Sequence, residues 1–317
     1  MKKIVFGLIL ILLISGCTGL PNVFGLFEEG PEVKELPPDV IVVQNINVIP
    51  PPPINSDDQF SVSFEISNQE EIKEIEKVSY ALLDDGLCNT TPERPSDSFE
   101  NFVPGEIEFV EWTFDSPSSK DIGGLSTTCP VRFKVNYSFE AVSEIEVNVV
   151  SEDRYNQLQR SGEFTAFTPT LTMGRGPIKI YIDFGATLPI RASTSENKRI
   201  LPVYITVEDK GTGLLPQIPD WDTSRRISPN LNKELIIKVP EDFDLKSNDC
   251  GRRFRCNVDQ CWSIQNITMI NRKSPTIRCS FTVPEDVSFE KTYFINAFLN
   301  YTYDLINEVE VGIKPLA

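Results

Sequence analysis

A chain of 317 residues with 30 Lys+Arg, 46 Asp+Glu and no histidine has room for about two domains. Its formal charge of −16 excludes a nucleic-acid surface, because phosphate binding runs on clustered Lys and Arg. The lack of histidine excludes Ser-His-Asp, Cys-His and HExxH chemistry, and 40 % hydrophobic with 24 % charged residues is a globular composition.

Met1-Lys2-Lys3 is basic and Ile4 to Ile14 is an apolar run, too short for a hydrocarbon core that needs roughly 20 residues. Residues 1–16 therefore read as a signal peptide. The run ends in Ile14-Ser15-Gly16-Cys17, which resembles the lipobox of prokaryotic lipoproteins, archaeal ones included. The resemblance implies that Cys17 is acylated, becomes the mature N-terminus and holds the chain to the extracellular face of the cell membrane. Two acyl chains give stable anchoring, whereas one is marginal. Residues 17–37, rich in Pro, Gly and Glu without a period, form the lipidated flexible tether.

Strand patterns fill the rest. Phe60, Val62, Phe64 and Ile66 alternate with polar residues, as do Val78, Tyr80 and Leu82 before Asp84-Asp85-Gly86. Ile107 and Phe109 followed by Val110, Trp112 and Phe114 change phase by one residue, which predicts a β-bulge. Val131 to Phe139 is one strand and Ile145 to Val149 the next. Helix signals are weak: Gln69 to Lys77 and Glu152 to Arg160 could each form two turns at most. Alternation resumes at Ile178–Phe184, Val203–Val207, Leu235–Val239 and Ile277–Val283, with Cys279 inward. VNYSFEAVSEIEVNV (135–149) repeats without gaps as LNYTYDLINEVEVGI (299–313), each read as the closing hairpin of its half. A repeat of domain length means duplicated domains, placed at 38–150 and 165–317 with a linker at 151–164.

About seven short strands per half predict β-sandwiches. At FSVSFEISN (60–68), VSYALLDDG (78–86) and the closing hairpin the first half resembles CARDB-type Ig-like domains. The second half resembles them at VYITVEDKGTG (203–213) and its own hairpin. The resemblance implies an all-β chain of two tandem Ig-like antiparallel β-sandwiches with extracellular spacer or adhesive roles. It supplies no catalytic residues to transfer.

Setting Cys17 aside leaves Cys88, Cys129, Cys250, Cys256, Cys261 and Cys279, an even set expected to form disulfides in an exported chain. Pairing within each half joins Cys88 to Cys129 and leaves three connectivities for the other four. A Cys₄ zinc site at 250, 256, 261 and 279 is the rival, with spacings unlike the usual knuckles. Sequons stand at Asn89, Asn136, Asn266 and Asn300, with 136 and 300 at outward phase. Asp57-Asp58, Asp209 and Asp220-x-Asp222 offer oxygen ligands for Ca²⁺ but match no calcium loop. CGRRFRCNVDQCW (250–262) gathers Arg252, Arg253, Phe254, Arg255 and Trp262, residue types that favour binding hot spots. The expectation is a non-enzymatic envelope protein without cofactor or metal, acting by structure, adhesion or protein interaction. The alternative is a polysaccharide- or ligand-binding module using the 250–262 loop, and a carboxylate-dependent hydrolase ranks last. Expected partners are the membrane, envelope proteins or glycans, with the oligomeric state open.

Overall fold

The computed structural model describes residues 32–36, 38, 40–90, 95–163, 168–216, 230–231, 234–245, 249–265 and 267–316. The signal segment, Cys17, most of the tether, Asp220, Asp222 and Asn266 lie outside the described residues. The first half contributes β1 (Glu32–Glu35), β2 (Ile41–Ile49), β3 (Ile54–Asn55), β4 (Gln59–Asn68) and β5 (Ile75–Asp84). It continues with β6 (Asn89–Thr90), β7 (Ser96–Phe102), β8 (Ile107–Asp115) and β9 (Thr127–Val150). After the helix α1 (Glu152–Ser161) come β10 (Thr170–Met173), β11 (Ile178–Phe184), β12 (Ile190–Arg191), β13 (Ile200–Asp209) and β14 (Asn230–Leu231). The chain ends with β15 (Leu235–Lys238), β16 (Phe254–Cys256), β17 (Gln260–Ser263), β18 (Ile267–Thr268), β19 (Ile277–Thr282) and β20 (Glu290–Lys314). Among the described residues the protein is nearly all β, with mainly antiparallel sheets, and no helix is long and apolar enough to cross a membrane.

Alternation puts one face of each strand in the core. Phe60, Val62, Phe64 and Ile66 of β4 are all buried, as are Val110, Trp112 and Phe114 of β8. Phe64 stacks on Phe133 with ring centroids 4.1 Å apart. The expected bulge in β8 is absent: β8 pairs with β4 from Ser67↔Ile107 to Gln59↔Asp115 without a register shift. Ile107 and Phe109 instead sit on the outer face of a regular strand, 55 % and 61 % exposed. The weak helix signal at 69–77 forms no helix. Asn68 turns the chain after β4, its Oδ1 accepting from the Glu70 N–H and its Nδ2 donating to the Phe102 carbonyl, and Ile75 already belongs to β5.

The segment expected to be a linker holds more helix than the two turns foreseen. α1 runs ten residues, capped by the Ser151 side chain on the Arg154 N–H, with Glu152 and Asp153 in its first turn. Gly162, at φ 76°, closes it in the left-handed conformation, a common C-terminal stop.

The largest correction concerns the repeated segments. Neither folds back as a hairpin: 135–149 lies inside the single strand β9 and 299–313 inside β20. Neither NYSFEAVSE nor NYTYDLINE contains a Gly, the residue that most readily takes the positive φ of a tight two-residue hairpin turn. The two strands run straight and pair antiparallel with one another without a register shift from Thr127↔Ile313 to Val150↔Glu290. Ser138 faces Thr302 in this ladder, their hydroxyls 3.3 Å apart and 164 residues apart in sequence. These two residues also match in the repeat, so a local two-fold relation passes between them.

The surrounding strands obey that relation. β7 and β5 extend the sheet beyond β9 near 132–137, while β17 and β15 extend it beyond β20 near 296–299. A second sheet, β2-β4-β8-β6, belongs to the first half, and β11-β13-β19 to the second. The halves also exchange short strands. β3 pairs parallel with β20 at Ile54↔Ile313, and β12 pairs parallel with β9 at Ile190↔Val149. Ile54 and Ile190 each follow a proline and are buried.

Candidate binding site

β15 lies against β20, β17 against β15, and β16 closes the edge as a hairpin with β17. The hairpin reverses at Asn257, whose Oδ1 accepts from the N–H groups of Asp259 and Gln260, the Asx geometry that lets a short polar side chain stand in for backbone. Cys256 and Cys261 face each other across the strands and are joined, and Cys250 is joined to Cys279 on β19. The third disulfide links Cys88 to Cys129, with Cα atoms 5.9 Å apart. Sγ atoms of Cys250, Cys256 and Cys261 lie within 4.8 Å of one another. The C-terminal cysteines thus do gather, but as two disulfides that consume the thiolates a zinc ion would need.

Beside these bridges is a cavity of about 310 Å³ whose wall includes Arg252, Arg253 and Arg278 with Gln265, Thr268 and Thr276. Arginine side chains carry forks of N–H donors that match carboxylate, sulfate or phosphate groups, and here three arginines border one cavity on a protein of charge −16. The five residues expected to form one patch are divided by the structure. Arg252, Arg253 and the buried Phe254 belong to the cavity wall. Arg255 and Trp262 oppose each other across the hairpin and are not part of that wall. Phe254 packs in the core while its residue also borders the cavity. Arg278 was missed by sequence reasoning; its position next to Cys279 signals the site once the 250–279 bridge is known.

Asp209 is engaged within the chain. Its carboxylate pairs with Arg272 at 2.9 Å and accepts from the Tyr303 hydroxyl at 2.9 Å and the Gly211 N–H at 3.1 Å. Burial and the neighbouring Asp209 charge push the Tyr303 hydroxyl well above its ordinary range. Asp57 and Asp58 are likewise engaged, accepting from the Ser119 N–H and the Asn55 amide. Among the described sequons, Asn89 and Asn300 are exposed, whereas Asn136 is half-buried and donates its Nδ2 to Asp304 at 2.5 Å.

No family model and no curated protein matches the chain. Among solved structures, the crystal structure of red sea bream transglutaminase aligns at 8 % identity over 86 % of this chain, with a TM-score of 0.18. A structure named pT26-6p aligns at 8 % identity over 91 % of this chain, with a TM-score of 0.21. The chain spans 31 % of the transglutaminase and 66 % of the second structure.

Proposed function

We propose that the protein is a lipid-anchored extracellular component of the cell envelope, built for structure, adhesion and protein interaction rather than catalysis. On this reading it consists of two Ig-like sandwiches in tandem, standing off the membrane on the tether that begins at Cys17. The observation that carries it is the β9–β20 ladder, unbroken from Thr127↔Ile313 to Val150↔Glu290. A ladder of that length, with strands exchanged at both ends, joins the two halves by many hydrogen bonds that must fail together. Three disulfides add crosslinks suited to an oxidising exterior. Such a body transmits load and presents surfaces at a distance from the membrane.

The test is expression of wild type and Cys17→Ala, with detergent-phase partitioning, mass spectrometry of the mature N-terminus and cross-linking on intact cells. The wild type is expected in the detergent phase with an acylated Cys17 and cross-linked to envelope proteins. Wild type that partitions into the aqueous phase would overturn the anchor. Wild type exposed at the surface but free of cross-links would overturn the interaction role.

The arginine-lined cavity favours a second reading, recognition of an anionic glycan. Arg252→Ala with Arg253→Ala is expected to weaken retention on a sulfated polysaccharide column about tenfold or more, since hot-spot arginines each contribute upwards of about 1 kcal/mol. Unchanged retention would remove this reading.

A further inference from the structure

The local two-fold relation is broken at one place. On β9, the stretch beyond β5 is covered by β10, which pairs antiparallel at Leu171↔Ile145, Thr172↔Glu144 and Met173↔Ser143. Gly174 continues the contact, its N–H donating to the Val142 carbonyl at 2.8 Å, and β12 follows with Ala192 N–H to the Val150 carbonyl at 2.8 Å. On β20 the counterpart of β12 is present, with Ser56 N–H on the Lys314 carbonyl at 2.8 Å. The counterpart of β10 is not: among the described residues no strand pairs with the outer edge of β20 between the Leu214–Asp304 bridge and β3.

Ladder phase identifies what this edge offers. Asp304 exchanges both main-chain bonds with Leu214, so the N–H and C=O groups of Ile306, Glu308, Glu310 and Gly312 point the same way, outward from β9. The side chains report the same gap. Ile145, under β10, is fully buried, whereas Leu305, Asn307 and Val309 are only half-buried and Ile306 is 45 % exposed. A cavity of about 330 Å³ lies at the end of this edge, lined by Ile41, Val43, Gly213, Leu305, Ile306 and Asn307.

The chain's own N-terminal segment does not repeat the β10 arrangement. Counting back equally from Ser56 and Ala192 puts Pro38 where Gly174 stands, and proline has no N–H to donate. β1 pairs instead with the far edge of β10.

We propose that the Ile306–Gly312 edge of β20 is a strand-acceptor site for an extended, cationic segment of another protein. Main-chain hydrogen bonds would supply affinity and alternate side chains would supply selectivity, as in strand addition generally. By analogy with Leu171 and Met173, the incoming strand places apolar residues opposite Val309 and Asn307. Between them it places Lys or Arg, facing the exposed Glu310 and Glu308, the latter already accepting from the Arg132 guanidinium on β9. The charge of −16 sets a second copy of this chain against itself and favours a basic partner. The site deepens the interaction role proposed above but does not depend on lipid at Cys17, so the two can fail separately.

The probe is an acetylated peptide of residues 169–174 carrying T170K and T172K, compared with its T170E, T172E twin. The readout is amide exchange by NMR on the mature, disulfide-bonded protein. In the free protein the amides of Ile306, Glu308, Glu310 and Gly312 are expected to exchange fast and those of Leu305, Asn307 and Val309 slowly. The lysine peptide should slow the first set, and the glutamate peptide should bind roughly tenfold more weakly, as opposed rather than paired charges require. Glu308→Pro removes one outward N–H and should abolish protection. Glu308→Lys with Glu310→Lys provides a charge test should the proline variant not fold. Slow exchange of the first set in the free protein would overturn the proposal. So would equal protection by both peptides, or capture of the edge by residues 32–36 of this chain in cis or from a second copy.

Discussion

Lys179 shows how a single buried charge sets a pH dependence. It is 1 % exposed, and its Nζ donates to the carbonyls of Leu36 and Gly174. Burial pulls its amine down to about 8 from an ordinary 10.5. The unfolded chain therefore holds a proton that the folded protein has released across that window, and stability rises with pH there by about 1.4 kcal/mol per unit. The tyrosines act with the opposite sign. Tyr301 and Tyr303 are raised by burial, so above pH ~10 their ionisation in the unfolded chain erodes stability. Urea midpoints at pH 7, 8 and 9.5 are expected to climb for wild type and to stay level from pH 8 to 9.5 for Lys179→Met; an equal climb in the variant would assign the effect elsewhere. Gly176 is a second residue with a stated cost. At φ 116°, a Cβ there would lie 2.6 Å from the Tyr301 hydroxyl and 3.1 Å from the Phe139 ring. Gly176→Ala is expected to lose about 3 kcal/mol, the sum of backbone strain and overpacking, measured by denaturant unfolding.

Among the elements, the disulfides follow from what each half keeps close. Cys88 and Cys129 are 41 residues apart, and serine at both positions should lower stability by about 4 kcal/mol on the loop-entropy model, read as a fall in urea midpoint. Strand existence was legible in sequence wherever apolar residues alternated: β4, β5, β11, β13 and β19 lie where period two placed them. The phase change in β8 misled because two exposed apolar side chains at the end of a strand look, in one dimension, like a displaced core face. The supposed hairpins misled for a related reason: alternation is the same whether a strand folds back on itself or runs on into a neighbour. The sequons divide at this scale as well. If the host glycosylates, peptide mapping should find glycan on Asn300 and Asn89 ahead of Asn136, whose Nδ2 is held by Asp304.

Across the whole molecule, the halves separate in sequence between 150 and 165 but trade strands in space. Each completes its own core with a strand end from the other, β3 on β20 and β12 on β9. A protease site introduced between Glu163 and Thr168 should give two fragments that remain associated until denaturant is added. Calorimetry should show one unfolding transition for the uncut chain; two resolved transitions would mean that the shared ladder does not couple the halves. The arginine cavity also belongs to this scale, since Arg278 on β19 meets Arg252 and Arg253 where the Cys250–Cys279 bridge and the Ser280 N–H on the Asp249 carbonyl join the two segments.

The sequence by itself determined the all-β character, the even cysteine set, the export and lipobox expectation and the duplication, because each rests on residue type, count or short-range period. Tertiary structure alone decided that the duplicated segments are partners of one another, that four cysteines close as 250–279 and 256–261, and that Phe254 is core. It also decided that one edge of β20 stays open where its counterpart on β9 is covered. These depend on which strands become neighbours, and neighbours in a sheet are selected by long-range hydrogen bonding and burial that no local pattern specifies.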